Sequence, residues 1–176
     1  MGLARSDDLT QLPAIEKAAT DVFRLEDVPR ELRGGGLPLE FFEQAMGAGR
    51  LWVARELECT EPVGFAAASL IDASAHLYEL DVLPAHARRG LGRALVLEVA
   101  CWARGAGFAC LTLTTFRHLA FNGPFFESLG FEPIPFALQG PEIRATLAEE
   151  AERGLDPDKR IAMRLDRSRF PEVVPG

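Results

Sequence analysis

The chain joins a predicted strand to a predicted helix through Val82-Leu-Pro-Ala-His-Ala-Arg-Arg-Gly-Leu-Gly-Arg-Ala-Leu95. The glycines at positions 90 and 92 let the backbone approach an anion without a Cβ collision. A helix that begins there presents unpaired N–H groups and roughly half a positive charge at its N-terminus. Charge-assisted hydrogen bonds can come from Arg88, Arg89 and Arg93. The stretch therefore predicts a pyrophosphate site. A tight turn with solvated arginines would show the same short pattern. Within the loop, His86 is predicted to be a solvated residue.

Three strand patterns with short turns precede this loop, at residues 51–56, 63–71 and 76–83. Such a run predicts an antiparallel meander. An amphipathic helix pattern follows the loop, and residues 108–115 again read as a strand. A strand, a helix and a strand in this order predict a parallel pair with a right-handed crossover. A Rossmann dinucleotide fold is disfavoured, because the third glycine is missing and the loop follows antiparallel strands.

The outer parts of the chain add further elements around this centre. The predicted helices are residues 9–22, 38–47 (or 49), 122–129 and 141–154, and the predicted strands are residues 131–137 and 159–165. The pattern contains no internal repeat and no linker. It predicts one α+β domain with a mixed sheet over residues 1–170, and a frayed tail at residues 171–176.

Composition excludes several classes of function. The 176-residue chain has a formal net charge of −7 at pH 7, which argues against nucleic-acid partners because neutralising phosphates needs a basic face. No apolar run is long enough for a membrane span. The cysteines Cys59, Cys101 and Cys110 lack metal-ligand spacing, so no metal is expected. Without a secretory signal, the sequence predicts a cytoplasmic protein.

A second stretch, Asn122-Gly-Pro-Phe-Phe-Glu-Ser-Leu-Gly-Phe131, lies further along the chain. Together with residues 82–95 it resembles the two motifs of the GNAT acyltransferases, at the family's usual separation. The order of elements is similar from Leu9 to Leu165. The resemblance implies a GNAT-like fold, in which an antiparallel meander precedes a βαβ crossover in a splayed central sheet. It also implies acetyl-CoA or another acyl-CoA as co-substrate, and an amine of a small molecule or peptide as acceptor.

The resemblance further implies a set of cofactor contacts. Val82 and Leu83, beside Asp81, are similar to the strand end whose backbone pairs with the pantetheine arm. The residues similar to the pyrophosphate loop are Arg88, Arg89, Gly90, Leu91, Gly92, Arg93 and Ala94. The residues at the cofactor's thiol end are Asn122, Phe125 and Phe126. Two positions depart from the family pattern: Ala87 replaces the usual Arg or Gln, and Phe126 replaces a Tyr that commonly protonates the leaving thiolate.

Acyl transfer to an amine needs a base, and the candidates are Glu79, Asp81 and His76. Strand alternation places Glu79 and Asp81 on one face and His76 with Tyr78 on the other, unless a bulge reverses the faces. Glu79 resembles a carboxylate often found at this point in the family. The two carboxylates could instead be only the polar face of a half-exposed strand. The acid stays open between water, Tyr78 and His118, or the thiolate, with a pKa of about 8.5, could leave unassisted.

The candidates for the acceptor pocket are Phe41, Phe42, Phe116 and His118. Core packing would explain the aromatic residues equally well. The apolar final strand could pair across a homodimer. The leading interpretation is an N-acetyltransferase. The alternative is an acyl-CoA-binding sensor that has lost catalysis, for which Phe126 gives the reason.

Overall fold

The structure, a computed structural model, describes residues 1–33, 36–56 and 60–171. Its strands are β1 (Gly2–Leu3), β2 (Leu51–Ala54), β3 (Gly64–Ile71), β4 (Ser74–Val82), β5 (Cys110–Phe116), β6 (Glu132–Pro133) and β7 (Arg160–Asp166). Their hydrogen-bonded order is β1-β2-β3-β4-β5-β7-β6. The helices are α1 (Leu12–Thr20), α2 (Leu39–Gly47), α3 (Leu91–Gly105), α4 (Gly123–Ser128) and α5 (Pro141–Glu152).

The described chain divides into two compact units, and the first consists of Met1–Ser69 and Leu77–Val99. In this unit β2 pairs antiparallel with β3 and with β1. Its core packs α1 and α2 against the strands through Leu9, Leu12, Ile15, Phe42, Ala45, Leu51, Val53, Phe65 and Ala67. Each large apolar side chain buried in this way contributes roughly 1.5–3 kcal/mol. The cluster therefore fixes both helices on β2 and β3.

The second unit consists of Leu70–His76 and the described residues from Ala100 onward. Here β4 and β5 run parallel, with Ala75 opposite Leu111 and His76 opposite Thr112, which confirms the predicted parallel pair. β7 pairs antiparallel with β5 on one side and with β6 on the other. β5 pairs with the whole of β7, whereas the two-residue β6 covers only Met163 and Arg164 on its other side. Pairing of the final strand across a homodimer stays a prediction.

Several local predictions are wrong. The strand expected at residues 131–137 shrinks to β6, because Pro133 and Pro135 lack the N–H that a ladder needs. The first helix begins only at Leu12, since Ser6–Asp8 forms a separate 3-10 turn. The helix ends at Thr20, which leaves Val22 49% exposed instead of buried. The single domain over residues 1–170 stays a prediction, and the tail at residues 172–176, like Cys59, lies outside the described residues.

Candidate active site

In the first unit, β4 runs into a loop at residues 84–93, called here the phosphate loop. Arg88 and Gly90 adopt positive φ values of 62° and 83°, a conformation that glycine reaches without steric cost. The first hydrogen bond of α3 runs from the Ala94 N–H to the Gly90 carbonyl oxygen, at 3.0 Å. The N–H groups of the first helical turn, from Leu91 on, therefore have no acceptor within the helix itself. The loop has the backbone shape of an anion site.

The side chains of the phosphate loop are tied to β2 through Glu56, just beyond the end of that strand. His86 Nδ1 lies 2.7 Å from Glu56 Oε1, and the Arg89 guanidinium donates to the same oxygen. The hydrogen bond from His86 is the main cause that lowers the pKa of the Glu56 carboxyl. The prediction that His86 is a solvated loop residue is therefore wrong. Arg88 and Arg93 are exposed.

Three carboxylates of the first unit form an electrostatic group, called here the carboxylate cluster: Glu16, Glu79 and Asp81. Asp81 is only 8% exposed, and among the described residues its Oδ2 has no hydrogen-bond partner. Burial, followed by the charges of Glu79 and Glu16, raises the pKa of the Asp81 carboxyl well above its ordinary value. A buried carboxyl of this kind keeps its proton to higher pH than an exposed aspartate does. Perturbed carboxyls of this type are common at functional sites.

Glu16 is the member of the cluster that sequence reasoning missed. It lies on α1, is 7% exposed, and accepts hydrogen bonds from the N–H groups of Gly36 (2.9 Å) and Leu37 (3.2 Å). The signal was present, because Glu16 stands four residues after Leu12 and three before Ala19, on the apolar face of the helix. A charged residue at such a position indicates a buried partner.

The aromatic residues of the first unit fall into two classes. Phe42 is fully buried and packs edge-on against Phe65, with ring centroids 5.5 Å apart. Phe41 is only partly buried, and its ring lies 5.0 Å from that of Tyr78. Tyr78 is 44% exposed. Phe42 is thus a core residue in this structure, while Phe41 and Tyr78 are accessible to a ligand.

In the second unit, Asn122 immediately precedes α4. Its Nδ2 donates to Thr115 Oγ1 at 3.1 Å, and its buried Oδ1 lacks a partner in the described part of the chain. A Cβ on Gly123 would lie 2.7 Å from the Arg117 carbonyl oxygen, so only glycine allows this close approach. Phe126 is 6% exposed and packs against Phe125 at 5.0 Å. An amide oxygen without a partner in the described residues thus stands just before α4, which carries a tightly packed aromatic pair.

The remaining candidates of the second unit are mostly buried. His76 is 2% exposed, and its Nδ1 lies 2.9 Å from Thr112 Oγ1. Burial lowers the pKa of His76 to about 4, so the ring is neutral near pH 7. Phe116 is 4% exposed beneath the Arg160 guanidinium, whereas His118 is exposed. Burial thus favours a packing role for His76 and Phe116.

The described residues contain neither a group of metal-ligating side chains nor a membrane-spanning helix. No group of three or more His, Cys, Asp or Glu side chains is placed there to hold a metal ion. Within the same ranges, no helix combines the length and apolar character that crossing a membrane requires.

Comparison with known proteins establishes the class of this protein. The sequence model of the Acetyltransferase (GNAT) family matches residues 16–131. The chain belongs to this family. It is therefore an acyl-CoA-dependent N-acetyltransferase, as the two motifs predicted.

Solved structures show the same fold. The ribosomal-protein-alanine N-acetyltransferase of Brucella melitensis is 22% identical, with a TM-score of 0.66 over 93% of this chain and 96% of that one. A mosquito arylalkylamine N-acetyltransferase-like protein is 15% identical, with a TM-score of 0.69 over 94% and 98%. The PaiA N-acetyltransferase of Thermoplasma acidophilum, in complex with coenzyme A, is 14% identical, with a TM-score of 0.61 over 94% and 95%. The predicted fold class is confirmed.

Proposed function

We propose that this enzyme acetylates a primary amine that enters as an ammonium cation, and that Asp81 takes its proton. The observation that carries the proposal is the buried Asp81 carboxyl, whose Oδ2 has no partner in the described residues and whose neighbours are two further carboxylates. Three carboxylates in one place favour a cation. The same strand continues into the phosphate loop, so the base and the cofactor loop share one element.

The raised pKa of Asp81 suits proton transfer from an amine. A neighbouring ammonium stabilises the ionised form of Asp81, so binding of the acceptor favours the form that can take a proton. Once ionised, a carboxylate of raised pKa is a stronger proton acceptor than an ordinary aspartate. Glu79 keeps that pKa high by its charge. Glu79 is thus proposed to adjust the pKa of the base, Asp81. His76, which is buried and neutral, is the weakest of the three candidates for the base.

The phosphate loop is proposed to hold the cofactor. Acetyl-CoA supplies the thioester acyl group when it is bound. The backbone N–H groups at positions 91–93 and the exposed Arg88 and Arg93 side chains suit its pyrophosphate, while Arg89 is held by Glu56. The backbone of Val82 and Leu83 is proposed for the pantetheine arm. Asn122, whose Oδ1 has no partner in the described ranges, is proposed with Phe125 and Phe126 for the thiol end.

The acid is proposed to be Tyr78. Phe126 carries no hydroxyl, and Tyr78 is the only tyrosine of the chain. Its side chain is 44% exposed and adjoins Phe41. A phenol can donate a proton to a leaving thiolate. Phe41 and Tyr78 together offer an aromatic wall for the acceptor, which favours an amine on an apolar body.

Two solved neighbours differ in their acceptors, and both kinds are candidates here. The Brucella melitensis enzyme is named for a ribosomal-protein alanine and the mosquito protein for arylalkylamines. The carboxylates and the aromatic wall favour the arylalkylamine class for this chain. Cytoplasmic localisation stays a prediction.

A matched pair of acceptors tests the proposal. Acetyl-CoA-dependent thiol release is measured with 4-methylbenzylamine, a cation at neutral pH, and with 4-methylaniline, which is neutral there. An alanyl peptide is the third acceptor. We expect the benzylamine to be acetylated much faster than the aniline. Equal rates for the pair would contradict a site built for cations, and tight acetyl-CoA binding without turnover on any amine would instead support the sensor.

A further inference from the structure

A cavity of about 460 Å³ lies wholly within the second unit. Its walls come from the end of β6 and the segment after it, from α5 and from the first residues of β7. Arg117, just after β5, and Pro157, just before β7, complete them. Small-molecule sites usually enclose ~300–1,000 Å³. The cavity is therefore large enough for a small organic ligand.

The charged residues that line the cavity are all arginines: Arg117, Arg144 and Arg160. Arg160 already pairs with a carboxylate: its Nε lies 2.7 Å from Glu150 Oε2, and its Nη2 lies 2.7 Å from Glu150 Oε1. Arg117 donates to the Arg160 carbonyl oxygen, and the Arg144 guanidinium lies over the Phe136 ring, 5.6 Å from its centroid. In the described ranges neither Arg117 nor Arg144 pairs with a carboxylate. In a chain of net charge −7, this is a local site for an anion.

One buried polar atom of the cavity also calls for a ligand. Gln139 donates through Nε2 to the Ile134 carbonyl oxygen at 3.0 Å. Its Oε1 is buried and has no partner among the described residues. Buried acceptors are normally hydrogen-bonded. Because this oxygen is closed to solvent, a bound O–H or N–H group would reach it once the Gln139 amide turns toward the cavity.

The rest of the lining is apolar. Ile134, Leu147, Ile161 and Ala162 form it together with three prolines and Phe136. The Phe136 side chain is 72% exposed, which is unusual for a large aromatic ring. A flat apolar body can pack on this ring and on the aliphatic side chains.

We propose that this cavity binds a small aromatic carboxylate that carries a hydroxyl group. Its carboxylate pairs with Arg144 and Arg117, its ring packs against Phe136, and its hydroxyl donates to Gln139 Oε1. A cationic amine acceptor is excluded by the two arginines. The cavity is thus a binding site for a second class of ligand, besides the amine and the acyl-CoA.

Three related compounds test each contact by calorimetry on the full chain without acyl-CoA. They are 4-hydroxyphenylacetate, phenylacetate without the hydroxyl, and 4-hydroxyphenylacetamide without the charge. We expect saturable one-to-one binding of the first compound and weaker binding of the other two. The Arg144→Gln variant should bind it about tenfold more weakly. The matched control is Arg153→Gln, an exposed arginine just beyond α5 that does not line the cavity.

The contribution of Gln139 has its own test. The Gln139→Met variant should bind 4-hydroxyphenylacetate and phenylacetate equally, because the hydroxyl loses its acceptor. Circular dichroism checks that the variant keeps the fold. The proposal fails if 4-hydroxyphenylacetate does not bind at millimolar concentration, if its amide binds as well, or if Arg144→Gln leaves affinity unchanged. It also fails if coenzyme A displaces the compound competitively, since the arginines would then serve the cofactor. Acetyl transfer is not needed for any of these readouts.

Discussion

Acidification should destabilise this protein through His76. Burial lowers the pKa of His76 from 6.5 to about 4 in the folded chain. In the unfolded chain the His76 side chain takes up a proton near pH 6.5, whereas in the folded chain it does so only near pH 4. The stability that is present above pH 6.5 is therefore lost as pH falls. This difference in protonation lowers the free energy of unfolding by about 2 kcal/mol at pH 5 and by about 3 kcal/mol at pH 4.

The assay compares wild type with His76→Asn by urea unfolding, followed through tryptophan fluorescence at pH 7 and at pH 5. Asparagine keeps an N–H donor for Thr112 but leaves a small cavity, which costs free energy equally at both pH values. The difference in unfolding free energy between the two proteins should therefore shrink by about 2 kcal/mol at pH 5. The control is His118→Asn, at an exposed histidine. A difference that is the same at both pH values would refute the reasoning.

Three further perturbations address the loops and the carboxylate cluster. Gly123→Ala should lower the free energy of unfolding by ~1–3 kcal/mol in urea, because its Cβ would meet a backbone oxygen at 2.7 Å; an unchanged midpoint would contradict this. Gly90→Ala should lower the free energy of unfolding by about 1 kcal/mol and raise the KM for acetyl-CoA, because φ is 83° while the space around the added Cβ is open. Gly47→Ala is the control. An acetyl-CoA KM of Gly90→Ala equal to that of the wild type would count against the loop as the cofactor site. Glu79→Gln should move the acid limb of the pH–kcat/KM profile to lower pH, because removing that charge lowers the pKa of Asp81; a shift to higher pH would exclude Asp81 as the base.

The elements around the phosphate loop could be predicted from sequence because their periodicity is strong. The apolar runs of β3 and β4 and the helix after Gly92 follow patterns that local residues determine. β1 could not be found, since Gly2 and Leu3 are too few to show a period. The apolar run at residues 131–137 predicts a strand longer than β6, because apolar patterning does not register the backbone N–H groups that its two prolines lack.

The site was predictable only in part, for a different reason. The loop glycines and arginines are contiguous in sequence, and so is the pair of carboxylates on β4. The Glu56 carboxylate contacts the His86 ring, and the Glu16 carboxylate contacts the backbone N–H groups of residues 36 and 37. Both contacts join positions 20 or more residues apart. The Asp81 pKa depends on burial and on Glu16, neither of which a strand pattern specifies.

The most direct test of the proposed chemistry is the kcat/KM of Asp81→Asn for acetyl transfer to 4-methylbenzylamine, measured beside the acetyl-CoA dissociation constant. Asparagine keeps the shape of the protonated carboxyl but cannot take a proton, and the exposed Asp7→Asn serves as control. We expect kcat/KM to fall by about 100-fold or more while acetyl-CoA still binds. A variant that transfers acetyl groups at the wild-type rate would contradict the assignment of Asp81 as the base.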